Sequence, residues 1–264
     1  MTDMLEVKDL TVRFHGSGRN AVDHISFSMA PGERLGVVGE SGSGKTVTAM
    51  AISGLLQRSL AEVSGTARFR ELDLLHCSRE ELRRVQGADI GVVFQEPMTS
   101  MNPLMKVGPQ IEEALKIHTR LSPAERRAKA LAAMERVGLP EVEATYNKYP
   151  HQLSGGQRQR AIIASAALIR PGLLICDEPT TALDVTVQAQ ILKLLRGISE
   201  DEGVGILLIS HDLSVVRRLC ERVVVMQRGV IVEEGPVEQI YNAPRHEYTR
   251  RLIAAIPTRR KLHE

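Results

Sequence analysis

Apolar and polar residues alternate along the first thirty positions, with Leu5, Val7, Leu10, Val12 and Phe14 on one face and then Ile25, Phe27 and Met29. This predicts two strands of an antiparallel sheet, joined through the Gly16-Ser17-Gly18-Arg19-Asn20 turn. A Pro31-Gly32 turn follows, and residues 34–38 then read as a fully buried strand. Behind that strand come a Gly/Ser loop and a helix carrying Ala49, Ile52, Leu55 and Leu56.

Between residues 107 and 170 the period lengthens to that of a helix. Val107, Ile111, Ala114, Leu115 and His118 share one face. Ser122-Pro123-Ala124-Glu125 combines a capping box with proline at the first helical position, and Gly138 supplies a stop. Alternation of strand and helix then resumes, with a strand over 173–176, a helix over 185–198 turning Ile191, Leu194, Leu195 and Ile198 inward, and a strand over 204–209. Strand, helix and strand at this spacing predict parallel pairing and an α/β fold. Residues 223–226 and 230–233, joined through Gln227-Arg228-Gly229, predict a hairpin.

Composition narrows the class. A chain of 264 residues with 43% hydrophobic and 25% charged positions matches ordinary globular proteins. Its apolar runs fall far short of the ~20 residues that a bilayer crossing requires. The N-terminus, Met1-Thr2-Asp3-Met4, is acidic where a secretory signal would be basic. Cys77, Cys176 and Cys220 are scattered, which fits reduced thiols in a cytoplasmic setting. A net charge of +2 and 3% aromatic residues argue against nucleic acid as a partner.

The chemistry concentrates in a few short segments. Gly39-Glu40-Ser41-Gly42-Ser43-Gly44-Lys45-Thr46 fits the phosphate-loop pattern between a strand and a helix. Glycines let successive N–H groups curl around an anion, Lys45 reaches the outer phosphates, and the Thr46 hydroxyl suits Mg²⁺. A flexible Gly/Ser loop would match the four specified positions in about one chain in a hundred of this length. Downstream, the apolar run 173–176 ends on Asp177 and Glu178. Asp177 suits the metal and Glu178 the attacking water, and a helix-capping turn is the structural alternative.

Leu153-Ser154-Gly155-Gly156-Gln157, followed by Arg158-Gln159-Arg160, resembles the signature motif of ATP-binding cassette (ABC) proteins. Ser154 suits an N-cap, while Gly155 and Gly156 leave N–H groups open to an anion. The other family elements appear in order: Gln95 resembles the Q-loop, Ala182-Leu183-Asp184 the D-loop, and Ser210-His211-Asp212 the switch histidine. Taken alone, His211 reads equally as a helix-start residue, and Phe14 suits either stacking on adenine or an inward strand position. The resemblance implies a P-loop NTPase (RecA-like) core with an N-terminal antiparallel β subdomain and an inserted helical subdomain near residues 98–165. Residues 1–241 would form the nucleotide-binding domain and 242–264 a short basic extension carrying Arg250, Arg251, Arg259, Arg260 and Lys261.

The resemblance also implies a mechanism. ATP and Mg²⁺ would be bound by Phe14, residues 39–46, Ser154, Gly155, Gly156, Gln157 and Asp184, with Thr46, Gln95 and Asp177 on the metal. Glu178, His211 and Gln95 would serve hydrolysis. Two cassettes, identical or different, would pair head to tail on two transmembrane permeases, peripheral to the cytoplasmic face of the inner membrane. An extracytoplasmic solute-binding protein would complete the complex.

Phe94-Gln95-Glu96-Pro97-Met98-Thr99-Ser100-Met101-Asn102-Pro103 and Glu247-Tyr248-Thr249-Arg250-Arg251-Leu252 are similar to importers of peptides and nickel. Longer peptide-importer ATPases carry a cysteine-containing tail tied to an iron–sulfur cluster. No cysteine follows Cys220 here, which is closer to the nickel-type members. An exporter ATPase and a DNA-clamping cassette protein are the alternatives. The second would need long arms between its ATPase halves, and the stretch from Gln95 to Ser154 is too short for them.

Overall fold

The computed structural model describes residues 3–94 and 100–256, which group into two compact units, residues 1–78 with 205–264 and residues 79–204. In the first unit, β1 (Leu5–Phe14) pairs antiparallel with β2 (Val22–Met29) on one side and β4 (Ala61–Phe69) on the other, with the two-residue β5 (Leu72–Asp73) beyond. Leu5, Leu10, Val12, Ile25, Met29 and Phe69 are buried on the inner face. The three-residue step from Val7 to Leu10, where strict alternation would place two, is a bulge. The pairing register shifts there and Asp9 takes φ 52. Gly65 sits opposite, and a Cβ on it would lie 2.3 Å from the Asp9 carbonyl oxygen, so the bulge requires glycine.

The same unit holds a second set of strands in the order β10-β9-β3-β8. β3 (Arg34–Val38) runs parallel to β8 (Gly205–Ser210) and β9 (Arg222–Gln227), and β10 (Val230–Pro236) closes a hairpin with β9. Every β8 residue is buried, as expected for a parallel strand covered on both faces. α1 (Lys45–Ile52) ends one turn earlier than the apolar pattern implies. Gly54 takes φ 70, which stops the helix and leaves Leu55 37% exposed. α9 (Leu213–Leu219) packs on β3, where a Cβ at Gly36 would meet Val216 Cγ1 at 2.2 Å. α10 (Val237–Asn242) and α11 (Glu247–Ala254) follow the hairpin.

In the second unit, α2 (Arg79–Val85) precedes β6 (Ile90–Val93), which pairs in parallel with β7 (Leu173–Asp177). Helices fill the stretch between those strands: α3 (Val107–Ile111), α4 (Glu113–His118), α5 (Pro123–Arg136), α6 (Val142–Asn147) and α7 (Gly155–Ala167). The helix expected across 107–118 is thus two short ones, meeting at Glu112. The capping box of α5 forms as the sequence predicts, with Ser122 Oγ accepting from Glu125 N–H and Glu125 Oε2 accepting from Ser122 N–H. Gly138 ends the segment at φ 72. α8 (Val185–Glu202) completes the unit, with Leu192 buried alongside the expected Ile191, Leu195 and Ile198. Arg136 and Arg170 both pair with the Glu202 carboxylate, which is 6% exposed, so one side chain ties the ends of α5, α7 and α8 together.

Candidate nucleotide site

The phosphate loop leaves β3 at Gly39 and enters α1 at Lys45. Gly42 and Gly44 take φ 76 and φ 102, conformations open to glycine at little cost. The loop is seated tightly on its own unit. A Cβ at Gly39 would lie 2.2 Å from the Met226 carbonyl oxygen, and one at Gly44 would lie 2.5 Å from that of Ala21. Gly42 has nothing within 4 Å, and Ser41, Gly42 and Thr46 are exposed.

Lys45 is 6% exposed, and its ammonium donates to the carbonyl oxygens of Gly39 (2.7 Å) and Glu40 (2.9 Å) and to Ser43 Oγ (3.3 Å). These oxygens hold a cation within the curve of the loop. No side-chain hydrogen bond caps the start of α1. An open glycine face, a buried lysine and an uncapped helix start together fit a polyphosphate bound to this loop.

At the end of β8, His211 is exposed beyond the buried Ser210. The N-cap of α9 belongs to Asp212, whose Oδ1 accepts from Ser214 N–H at 2.7 Å, so His211 is not the helix-start residue. Phe14, in the same unit, is half-buried at the end of β1.

The second unit holds the carboxylates. Asp177 ends β7 at 6% exposure, and Glu178 follows at 9%. Glu178 has φ 49, a left-handed conformation that is uncommon without glycine. Thr181 fixes it twice, its hydroxyl donating to Glu178 Oε2 at 2.6 Å and its N–H to the Glu178 carbonyl at 3.1 Å. The turn continues through Ala182 at φ 62 to Asp184, the N-cap of α8, whose Oδ1 accepts from Val187 N–H. Helix capping therefore falls to Asp184, leaving Asp177 and Glu178 for other work. Burial, and then the charge of Asp177, raises the Cys176 thiol above its ordinary range, so it stays protonated beside the pair.

Ser154 is the N-cap of α7 and forms a reciprocal box with Gln157, Oγ accepting from Gln157 N–H and Gln157 Oε1 from Ser154 N–H. Gly155 and Gly156 open the helix. A Cβ on Gly156 would come within 2.8 Å of Val187 Cγ1, so the signature turn and the start of α8 pack closely. Ser154 and Gly155 remain exposed. Gln95 lies outside the described residues.

Two participants escape the sequence reading. Thr181 had one legible signal, a threonine three residues beyond a carboxylate in a non-helical segment. Tyr248, whose hydroxyl accepts from Glu40 N–H at 2.8 Å, had none, because 208 positions separate the pair.

Comparison with known proteins agrees with this geometry. Residues 22–181 match the family model described as ABC transporter. The chain is 51% identical over 96% of its length to the peptidoglycan transport ATP-binding protein YejF of Agrobacterium fabrum. It is 48% identical over 97% to the glutathione import ATP-binding protein GsiA of Salmonella choleraesuis. It covers only 47% and 42% of those two proteins, so it spans about half the length of these relatives. A putative peptide import ATP-binding protein of Brucella abortus is 45% identical, with 96% of this chain and 77% of that protein covered.

Among solved structures, the dimeric ATP-binding cassette MJ0796 in a post-hydrolysis state with ADP and Pi superposes with a TM-score of 0.79 at 29% identity. That alignment covers 89% of this chain and 99% of the other. A second, cbiO1 of Clostridium perfringens, described as part of the cbiONQ transporter complex, gives a TM-score of 0.78 at 27% identity and 97% coverage of both. The chain therefore has the fold of an ABC ATPase cassette, and it belongs to the ABC transporter family.

Proposed function

We propose that the chain binds and hydrolyses ATP and drives the import of a peptide-like solute through partner permeases. The observation that carries the ATPase reading is the phosphate loop, with Lys45 drawn onto the carbonyls of Gly39 and Glu40 while Gly42 and Thr46 face solvent. By the family resemblance, the residues assigned to phosphoryl transfer to water are 39–46, His211, Asp177, Glu178, Ser154, Gly155, Gly156, Gln157 and Asp184. Loop N–H groups and Lys45 bind and orient the phosphates, and Phe14 is available for the base. Magnesium, when bound, neutralises phosphate charge. Asp177, Thr46 and Gln95 are the residues assigned to hold it.

Glu178 orients water and accepts its proton; the Thr181 hydroxyl holds its carboxylate in position and the Thr181 N–H holds its backbone. Positioning and electrostatics supply most of the acceleration in such a reaction. Ser154 and the exposed N-terminus of α7 offer a second anion-binding helix start, suited to the γ-phosphate held by a partner cassette. By likeness to the import ATP-binding proteins above, we assign the chain to the cytoplasmic face with two permeases, a second cassette and an extracytoplasmic binding protein. Among the described residues no helix is long and apolar enough to cross a membrane.

Peptide-like cargo is supported by the relatives at 45–51% identity, whose names specify peptidoglycan, glutathione and peptide transport. Purifying the chain from its native membrane in mild detergent, then measuring ATP turnover with and without its partners, tests the first claim. Calorimetry with the co-encoded binding protein tests the second. Permeases in the preparation and tight peptide binding are expected. Nickel binding without peptide binding would overturn the cargo assignment, and co-purifying DNA without permeases would overturn transport.

A further inference from the structure

The segment Glu247-Tyr248-Thr249 has no part in nucleotide chemistry as described so far, yet it is among the most firmly held parts of the first unit. Tyr248 is 2% exposed and Thr249 fully buried. Glu233 on β10 accepts from Arg245 N–H (2.7 Å) through Oε1 and from His246 N–H (3.1 Å) through Oε2, and the His246 ring caps the start of α11 by accepting from Tyr248 N–H at 3.2 Å. Arg250 donates back to the carbonyls of Pro244 and Arg245. From that anchored turn the Tyr248 hydroxyl accepts from the backbone N–H of Glu40, the second residue of the phosphate loop, at 2.8 Å.

Glu40 is thereby held from both sides, its N–H by Tyr248 and its carbonyl by the Lys45 ammonium. A second long-range bond, from Gly229 N–H to the Ser43 carbonyl at 3.0 Å, holds the far side of the loop, whereas the Tyr248 bond, across 208 positions, is the one that fixes Glu40. Burial raises the phenol's pKa, which favours the protonated hydroxyl, and its oxygen accepts from the amide.

We infer that Tyr248 is a positioning residue for nucleotide binding: α11 braces the phosphate loop through Glu40 and so fixes where the Lys45 ammonium stands before ATP arrives. This rests on the ATPase reading above. The physical reason is preorganisation. A loop held in its binding conformation has less freedom to lose when the phosphates dock, so releasing the brace weakens affinity without touching a group that contacts ATP. Tyr248→Phe is the minimal release, since it keeps the ring's packing and leaves the Glu40 amide without an acceptor.

The unmodified chain and Tyr248→Phe should be compared by hydrogen exchange at the Glu40 amide without nucleotide and by equilibrium binding of Mg²⁺ with a non-hydrolysable ATP analogue. Faster exchange at Glu40 and a roughly tenfold higher Kd are expected, about 1.4 kcal/mol, along with a raised KM for ATP at little-changed kcat. A purely structural tyrosine would lower the melting temperature and leave Kd at lower temperature unchanged, and that result overturns the inference. Unchanged exchange at Glu40 would overturn the brace itself. Failure of the unmodified chain to bind the analogue would instead remove the ATPase reading, and the positioning role with it. Should Tyr248→Phe not fold, Glu233→Gln decides. It loosens the anchor of residues 245–246 without altering the hydroxyl, and a roughly twofold or greater rise in Kd is required of it.

Discussion

The two turns that carry the chemistry solve one backbone problem in opposite ways. Both need left-handed residues just past a buried strand. In the phosphate loop these are Gly42 and Gly44, at φ 76 and 102. In the turn after β7 they are Glu178 and Ala182, at φ 49 and 62. At these two positions the loop works through backbone N–H groups, so no side chain is needed there and glycine removes the strain. The carboxylate turn works through a side chain, so glycine is not an option at Glu178 and the strain stays, held by the two bonds from Thr181.

The largest effect should come from the side-chain turn. Glu178→Gln is expected to lower ATP turnover at least about 100-fold while nucleotide binding persists, read by phosphate release alongside equilibrium binding. Undiminished turnover would take the water-orienting role from Glu178. Next comes Gly44→Ala, which combines a left-handed conformation with a Cβ 2.5 Å from the Ala21 carbonyl. It should cost ~2–3 kcal/mol in denaturant unfolding.

The comparison itself is sharpened by Glu178→Gly against Glu178→Ala, since both lose the bond from the Thr181 hydroxyl, both keep the one from its N–H, and only alanine keeps the left-handed cost. Glycine should be more stable by ~1 kcal/mol, and equal stability would mean the turn stores no strain. Thr181→Val leaves Glu178 in place and removes one of its two restraints, so kcat should fall roughly tenfold with KM for ATP little changed. Smallest are the two capping boxes. Ser122→Ala and Ser154→Ala should each cost ~1 kcal/mol of stability, but only Ser154→Ala should also slow turnover.

Legibility in the sequence followed how local each interaction is. The phosphate loop, the two serine caps and the β9–β10 hairpin are specified within a few residues, and each appears in the structure where the pattern puts it. β4 and β5 went unread, because Ala61-Glu62-Val63-Ser64-Gly65-Thr66-Ala67-Arg68-Phe69 is rich in small residues. Its strand character comes from pairing with β1 and not from its own periodicity. The bulge at Asp9 and its partner Gly65 were hidden for the same reason, since neither residue alone signals the other. The division at residues 78 and 205 likewise depends on long-range pairing. At the site, motif spacing pointed to the loop and the carboxylates; the Thr181 bonds are local but carry only the weak signal of a threonine three residues on, and the Tyr248 bond lies beyond any short pattern.

The pairing of β3 has a consequence for how the chain is made. The strand that delivers the phosphate loop is complete by Val38, yet both of its neighbours, β8 and β9, come after residue 204. At ~5–20 residues per second of synthesis, Leu35, Val37 and Val38 stay without a sheet for about 10–35 seconds. In a nascent chain these apolar residues are a natural place for a chaperone to hold. A ribosome stalled anywhere in the middle of the message would release a fragment with its ATP-binding loop encoded but unformed.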